Sequence, residues 1–177
     1  MRDLYLEITS GMGYGYMNRP LFKEAWLSFS KVNRSVKEVG NIIGGRVGQN
    51  IAGGFFENAC PIRMSYVLNS TGFPITQKSQ YSTVSGADRH LYIYRVNEMM
   101  NYLTHSLGKP DVVIPSPKPR DFAGKKGILV VIGHGWSNAR GHITLWDGSV
   151  CSDSCHLLND PDNGPFIPEV GALWILR

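Results

Sequence analysis

Residues 127–148, GILVVIGHGWSNARGHITLWDG, decide the fold class. Two runs within them, GILVVIG and GHITLWDG, are rich in β-branched and aromatic residues and are bounded by glycine, which is typical of β-strands. The C-terminal GALWILR (171–177) has a similar composition and is predicted to be another strand. Because these strands follow one another at the end of the chain, we expect them to form a mainly antiparallel sheet.

Helical patterns lie N-terminal to this sheet. The clearest is ACPIRMSYVLNSTG (59–72), in which apolar residues recur at i, i+4, i+7 and i+8 from Cys60. Pro61 suits the first turn of this helix and Gly72 its exit. Two further helices are predicted to begin at Pro20 and, with Asn97 as the cap, at NEMMNYLTHSLG (97–108). Helices first and strands last predict the α+β class, with helices packed on the sheet.

Two segments contain too much glycine or proline for regular structure. The stretch from Gly44 to Gly54 holds five glycines but lacks the Gly-Lys-Ser/Thr ending of a phosphate-binding loop. We predict a mobile loop whose backbone can approach a ligand closely. The segment KPDVVIPSPKPRDFAGKKG (109–127) contains four prolines and is predicted to cross the surface as neither helix nor central strand.

The composition is that of one globular domain, which we expect to span residues 1–177. Hydrophobic residues make up 42% and charged residues 18%, which excludes a disordered chain and a coiled coil. The net charge is +4 and the charges are scattered, so we expect no nucleic-acid partner. The same charge is compatible with an anionic polymer such as cell wall.

The sequence contains no apolar run of the roughly 18 residues that a membrane span requires, so we expect no stable membrane association. Asp3 and Glu7 interrupt the opening of the chain, where a signal peptide needs a continuous apolar stretch. We therefore expect that the protein is not exported by the general secretory route.

The cysteines offer the first candidate for catalysis. The chain has three of them, Cys60, Cys151 and Cys155, which fits either one disulfide and a free thiol or a fully reduced chain. Cys60 begins the predicted helix, where unpaired N–H groups stabilise a thiolate. A lone cysteine on an apolar helix stripe is also an ordinary core residue. A nucleophilic role therefore requires a base and a residue that orients the base.

The segment GHITLWDGSVCSD (141–153) supplies both. Its Asp-Gly pair predicts a two-residue hairpin turn, in which Trp146 pairs with Ser149 and His142 falls opposite Asp153. Directly opposed Cβ atoms lie about 5 Å apart, so the carboxylate can hold one imidazole tautomer. Alternation along the first strand turns Ile143 and Leu145 towards the core, away from His142.

Two alternatives stay open for the third residue and its loop. Asp147 is a rival acid, although an aspartate in an Asp-Gly turn already has a structural role and points away from His142. A bridge between Cys151 and Cys155 would replace the ladder by a tight loop, since four extended residues span about 13 Å and a disulfide needs less than about 7 Å. In that case the loop itself would have to present Asp153.

A metal site is the competing interpretation of the same residues. Cys151, Cys155 and His156 form C-x3-C-H, and Asp153 could add an oxygen ligand. A second cysteine or histidine pair with zinc-binding spacing does not follow. We therefore expect no metal and no cofactor.

Three motifs together resemble a known family. GGFFENACPIRMSYVLN (53–69), GHITLWDG (141–148) and CSDSCH (151–156) are similar to the type VI secretion amidase effectors of the fourth family, which belong to the NlpC-like, papain-like cell-wall amidases. The resemblance covers most of the chain. It implies a papain-like fold with Cys60 as nucleophile, His142 as base and Asp153 as the residue that orients His142. It also implies a disulfide between Cys151 and Cys155.

The resemblance further implies a function. The expected substrate is the peptidoglycan stem peptide, cut between D-glutamate and meso-diaminopimelate. A Gram-negative cell would make such a toxin in its cytoplasm, and the type VI secretion apparatus would inject it into a neighbour's periplasm. A cognate periplasmic immunity protein would protect the producer. The alternative function is a non-catalytic cell-wall-binding module with the same fold.

The expected mechanism assigns further groups. The Cys60 thiolate attacks the amide carbonyl and His142 protonates the leaving amine. The backbone N–H of Cys60 is one expected oxyanion donor, whereas Pro61 has no N–H and the second donor must come from elsewhere. We expect a further four residues to contribute to substrate binding: Gly53, Gly54, His134 and Trp136.

Overall fold

A four-stranded antiparallel sheet forms the C-terminal half of the fold, with residues 112–115, 167–175, 127–134 and 141–146 side by side in that order. A separate two-stranded sheet pairs residues 83–85 with residues 91–93. These elements come from a computed structural model that describes residues 18–77 and 80–177. Asp3 and Glu7, on which the expectation about a signal peptide rests, lie outside the described residues. The strands are β1 (Thr83–Ser85), β2 (Leu91–Ile93), β3 (Val112–Pro115), β4 (Gly127–His134), β5 (Gly141–Trp146) and β6 (Ile167–Ile175).

In the described part of the chain, five α-helices precede the large sheet or pack on it. They are α1 (Phe22–Val32), α2 (Val36–Ile43), α3 (Gly45–Ala52), α4 (Cys60–Ser70) and α5 (Val96–Leu107). Helix α2 begins at a capping box, in which Ser35 and Glu38 satisfy each other's backbone N–H groups. Helix α5 ends at Gly108, whose φ of +83° is tolerated by glycine. The predicted α+β class is confirmed.

The main hydrophobic core lies between the large sheet and helices α1, α4 and α5. Ile143 and Leu145 of β5 are fully buried in it, as their alternation predicts. Trp146 belongs to a second core on the other face of the sheet, together with Leu129 and Val131 of β4. Because β5 is an edge strand covered on both faces, its side chains are held firmly between the two cores.

The glycine-rich stretch is not a loop, and that prediction is wrong. Helix α3 occupies it and packs closely against α2. A Cβ atom at Gly48 would lie only 2.7 Å from the Gly40 carbonyl oxygen, so a residue with a side chain would not fit there. Gly45 starts α3 at a φ of +57° and lies directly against the backbone of Gly86. The glycines therefore allow two helices to approach each other closely, which a single segment's pattern does not reveal.

The hairpin after β5 also differs from the prediction. The Asp147 carboxylate accepts the N–H groups of Ser149 and Val150, both at 2.8 Å, and closes a loop of residues 147–150. Trp146 consequently pairs with Cys151 in an isolated bridge instead of with Ser149. The predicted register is wrong by two residues because the aspartate side chain stabilises a wider turn.

Smaller differences concern the element boundaries. Helix α1 has Leu21 as its N-cap, so Pro20 lies just outside it, and Asn97 lies inside α5, whose cap is Arg95. The proline-rich segment includes β3, which tolerates prolines because it is an edge strand paired with β6. Within the described parts of the chain, no helix is long and apolar enough to cross a membrane.

Candidate active site

Cys60 is the first residue of α4, with Pro61 in the first turn as predicted. Its side chain is only 1% exposed, and the stripe formed by Met64, Val67 and Leu68 is buried in the main core. This packing fixes the start of the helix against the sheet. The Cys60 thiol is free, whereas the other two cysteines of the chain are bridged.

His142 lies on the edge strand β5 and is 9% exposed. Its Nε2 lies 3.1 Å from each carboxylate oxygen of Asp153, and its imidazole also interacts with the Cys60 thiol. Nε2 is engaged by the carboxylate, so Nδ1 is the nitrogen left for the thiol. The structure thus brings together the cysteine, histidine and aspartate that the sequence singles out.

The imidazole is held in its charged form. Burial by itself would lower the pKa of the His142 imidazole, but hydrogen bonds and charges from Asp153 and Cys60 outweigh it and raise the pKa to about 10. A cationic imidazole beside a thiol stabilises the thiolate, which is the nucleophilic form of cysteine. The arrangement is therefore suited to nucleophilic attack followed by proton transfer.

A disulfide loop, not a strand ladder, presents Asp153. Cys151 and Cys155 are bonded with their Cα atoms 5.4 Å apart, and Asp153 lies midway between them. The loop is attached to β5 because the N–H of Ser152 donates to the Leu145 carbonyl at 2.8 Å. His142 and Asp153 therefore meet as predicted, through the disulfide loop that was the alternative to a continued ladder.

Two contacts of Asp153 are not anticipated from the sequence. The Thr144 hydroxyl donates to the carboxylate, and Arg63 Nη1 lies 4.0 Å from it. Burial alone would raise the pKa of the Asp153 carboxyl, yet His142, Thr144 and Arg63 together hold it below its usual value. Thr144 follows His142 by two residues on the same strand face, and that spacing is the signal that identifies it.

His156 forms a second layer behind His142. The two rings meet edge to face with centroids 4.8 Å apart, and Trp136 meets His156 in the same way at 4.7 Å. Burial and the positive charge of His142 lower the pKa of the His156 imidazole. The Asn163 amide donates to the Leu157 carbonyl, so its Oδ1 faces His156 Nδ1 as an acceptor, at 3.1 Å. His156 thus carries its proton on Nδ1.

An open cavity of about 540 Å³ lies next to the site, and its lining includes Asn58 and Trp136 but not Cys60, His142 or Asp153. Trp136 lines it, stacked on Phe166 with ring centroids 4.0 Å apart and with its indole N–H donating to the Asn163 carbonyl. Two cations, Arg95 and Arg140, also face the cavity. The predicted binding residue Trp136 is therefore placed where an extended ligand could contact it.

The other predicted binding residues are distributed differently. Gly54 lines a smaller depression that shares Asn58 with the main cavity. Gly53 caps α3 and does not line either space. His134 ends β4, is exposed and pairs with Glu169 at 3.0 Å, outside both spaces.

The backbone N–H of Cys60, one expected oxyanion donor, is engaged in this structure. It donates to Oδ1 of Asn58 at 3.2 Å. The disulfide argues against metal ligation, because neither cysteine of the C-x3-C-H motif has a thiolate left to bind a metal ion. Across residues 18–77 and 80–177, no cluster of three histidine, cysteine or acidic side chains could hold a metal ion.

Comparison with known proteins decides the family. The model of type VI secretion system amidase effector protein 4 (Tae4) matches residues 56–165, which include Cys60, His142 and Asp153. The chain belongs to the Tae4 family of type VI secretion amidase effectors. This confirms the resemblance carried by the three motifs, and it makes the protein an amidase, a hydrolase of amide bonds.

Solved Tae4 structures agree in fold and sequence. The Salmonella typhimurium Tae4 effector, in complex with the immunity protein Tai4 from Enterobacter cloacae, is 72% identical with a TM-score of 0.88, over 90% of this chain and 100% of that one. Tae4 in the Enterobacter cloacae Tae4–Tai4 complex is 51% identical, with a TM-score of 0.88 over 90% and 99% of the two chains. No protein with a curated description matches the chain.

Proposed function

We propose that this Tae4-family amidase is a DL-endopeptidase that cuts peptidoglycan stem peptides between D-glutamate and meso-diaminopimelate. Cys60 is the nucleophile, His142 the general acid and base, and Asp153 the residue that orients His142. The observation that supports these roles is the buried cluster in which the His142 imidazole contacts both Asp153 carboxylate oxygens and interacts with the Cys60 thiol.

The reaction proceeds in two stages. The thiolate attacks the amide carbonyl, and the imidazolium gives its proton to the amine that leaves, so Cys60 is left as a thioester. His142, now neutral, removes a proton from water, which attacks the thioester and releases the glutamyl carboxylate. Asp153 stays ionised throughout and fixes the imidazole by its bidentate contact with Nε2.

The cavity beside the cluster suits an anionic peptide. Arg95 and Arg140 lie at its rim, and Trp136 offers an aromatic wall. A stem peptide carries several carboxylates, so cations along the cleft would favour its binding. The net charge of +4 acts in the same direction.

The proposal extends to the partners and the location. Tae4 proteins in the solved structures form complexes with the immunity protein Tai4. By the same logic, a cognate periplasmic immunity protein binds this chain and blocks its cleft. The protein is made in the cytoplasm of the producing cell and acts, as one amidase domain, in the periplasm of the target cell after type VI delivery.

Digestion of purified peptidoglycan, with the fragments identified by mass spectrometry, tests this function. We expect one fragment that ends in D-glutamate and one that begins with diaminopimelate. Cys60→Ala should yield neither product and remain folded, because it deletes a single sulfur atom at a helix start. A cut at the sugar–alanine amide or at a D-alanine crosslink would reject the bond assignment. Binding without any cleavage would favour the cell-wall-binding module.

A further inference from the structure

Asn58 lies two residues before Cys60 and contacts the backbone of the nucleophile directly. Its Oδ1 accepts the N–H of Cys60 at 3.2 Å. Among the hydrogen bonds of the described residues, Nδ2 of Asn58 takes part in none. The side chain is half-buried and lines the main cavity beside Trp136. It therefore offers an unused amide donor at the place where a substrate would enter.

The position of Oδ1 has a chemical meaning. A cysteine amidase forms a tetrahedral intermediate whose oxyanion accepts hydrogen bonds at about 2.7–3.1 Å from preorganised donors. The asparagine oxygen accepts from the Cys60 N–H at nearly that distance, so it stands where such an oxyanion could lie. Pro61 has no N–H, so the residue that follows the nucleophile cannot provide a second donor.

We propose that Asn58 is the second oxyanion donor and that its carboxamide changes role when substrate binds. The substrate carbonyl oxygen displaces Oδ1 from the Cys60 N–H, and the carboxamide rotates so that Nδ2 donates to the same oxygen. The sulfur–carbon bond then forms, and the carbonyl π pair moves to the oxygen between these two donors. When this electron pair re-forms the carbonyl π bond, the bond between the carbonyl carbon and the leaving group breaks. This inference rests on the proposed role of Cys60 and deepens it.

Two reactions of Cys60 separate oxyanion stabilisation from thiol reactivity. Acylation by p-nitrophenyl acetate passes through an oxyanion and releases p-nitrophenolate, whereas alkylation by iodoacetamide displaces iodide without one. Both small reagents need the same access to a thiol that is 1% exposed. The ratio of the two rates therefore isolates the donors, and neither reaction depends on peptidoglycan. Its outcome is thus independent of the scissile-bond assignment.

Asn58→Asp keeps an acceptor for the Cys60 N–H but has no amide donor, and Asn58→Ala removes both. We expect the acylation-to-alkylation ratio to fall about 10²-fold in each variant, since loss of one oxyanion donor costs about 10²–10³ in rate. Asn101→Ala, an exposed asparagine of α5, should leave the ratio unchanged. If the ratio stays within a few-fold of wild type in Asn58→Ala or in Asn58→Asp, Asn58 is not a donor. A wild type that reacts with neither reagent at Cys60 would overturn the role of Cys60 itself.

Discussion

At the scale of residues, the carboxylate of Asp153 connects the base to its surroundings. It accepts hydrogen bonds from His142 and Thr144 and lies 4.0 Å from Arg63 on the helix of the nucleophile. Arg63 is itself held because its Nε donates to the Val32 carbonyl at 3.0 Å. A network in which each member has a partner holds the imidazole in one orientation.

Substitution of the two candidate acids separates their roles. Asp153→Asn should lower kcat by about 10² or more, because it weakens the orientation and charge stabilisation of the imidazole. Asp147→Asn should be mild, since an asparagine carbonyl can accept the same turn N–H groups of Ser149 and Val150. Steady-state hydrolysis of a purified stem peptide measures both. The reverse ranking would show that Asp153 does not orient His142.

The pH dependence of kcat/KM reports on the contact between Asp153 and His142. The leaving amine needs the imidazolium, so activity should fall as the pH rises through the His142 pKa of about 10. Asp153→Asn removes the negative charge that raises this pKa, and the alkaline limb should therefore move to lower pH. Profiles of the two proteins between about pH 6 and 11 provide the measurement. Identical alkaline limbs would mean that Asp153 does not control the protonation of His142.

The raised pKa of His142 also makes the stability of the fold depend on pH. The folded-state pKa of His142 lies above the ordinary value of 6.5, so its contribution to stability is complete below that value and is lost as the pH rises through about 10. The Asp153 pKa is lowered, so its contribution is present at neutral pH and is lost in acid. The ion pair therefore stabilises the fold most between these limits.

At the scale of elements, the disulfide loop replaces the ladder that would otherwise follow β5. The bridge between Cys151 and Cys155 spans a sequence separation of four, with Asp153 at its centre. Such a short loop gains less chain entropy than the roughly 3 kcal/mol given by a loop of 15 residues. Its main consequence is local, because it fixes the position of one carboxylate.

Replacement of both cysteines, Cys151→Ser with Cys155→Ser, should therefore lower activity far more than thermal stability. We expect kcat to fall at least tenfold and the melting temperature to change by only a few degrees, compared by hydrolysis assay and thermal unfolding. Reductant should inactivate the wild type to a similar extent and leave the double variant unaffected. Full activity of the double variant would show that the loop holds Asp153 without the bridge. Native oxidised wild type should contain one free thiol, Cys60.

At the scale of the whole molecule, two arginines, Arg95 and Arg140, face the cavity that we propose for the substrate. Arg140 is exposed at the cavity rim and has no ion-pair partner among residues 18–77 and 80–177. Arg95, on the same rim, is 3.4 Å from Glu98 and so is partly neutralised. Arg140 is therefore the cation best placed to attract a substrate carboxylate.

Arg140→Gln should raise KM about two- to fivefold with little change in kcat, the magnitude typical of an exposed ion pair. The difference from wild type should shrink at high ionic strength, because salt screens exposed charges. Lys23→Gln makes the same change of charge on the exposed surface of α1 and should leave KM unaltered. Equal effects of the two substitutions would indicate general attraction instead of a local contact.

What the sequence determined by itself is the local structure around the site. Pro61 and Gly72 bound the helix of Cys60, and the alternation of Ile143 and Leu145 assigns the faces of β5. Such patterns are read within one segment, because helical and strand periodicity depend on neighbouring residues. The motifs around Cys60, His142 and Asp153 also carry the resemblance to the family.

What only the tertiary structure decided is how distant segments meet. The glycines of α3 became helical because Gly48 can lie against Gly40 of another helix, which outweighs the low helix propensity of glycine. Asp153 meets His142 through a disulfide loop, and Arg63 contacts Asp153 only because the helix of Cys60 packs beside that loop. Contacts of this kind depend on packing between remote parts of the chain, and local sequence patterns do not encode them.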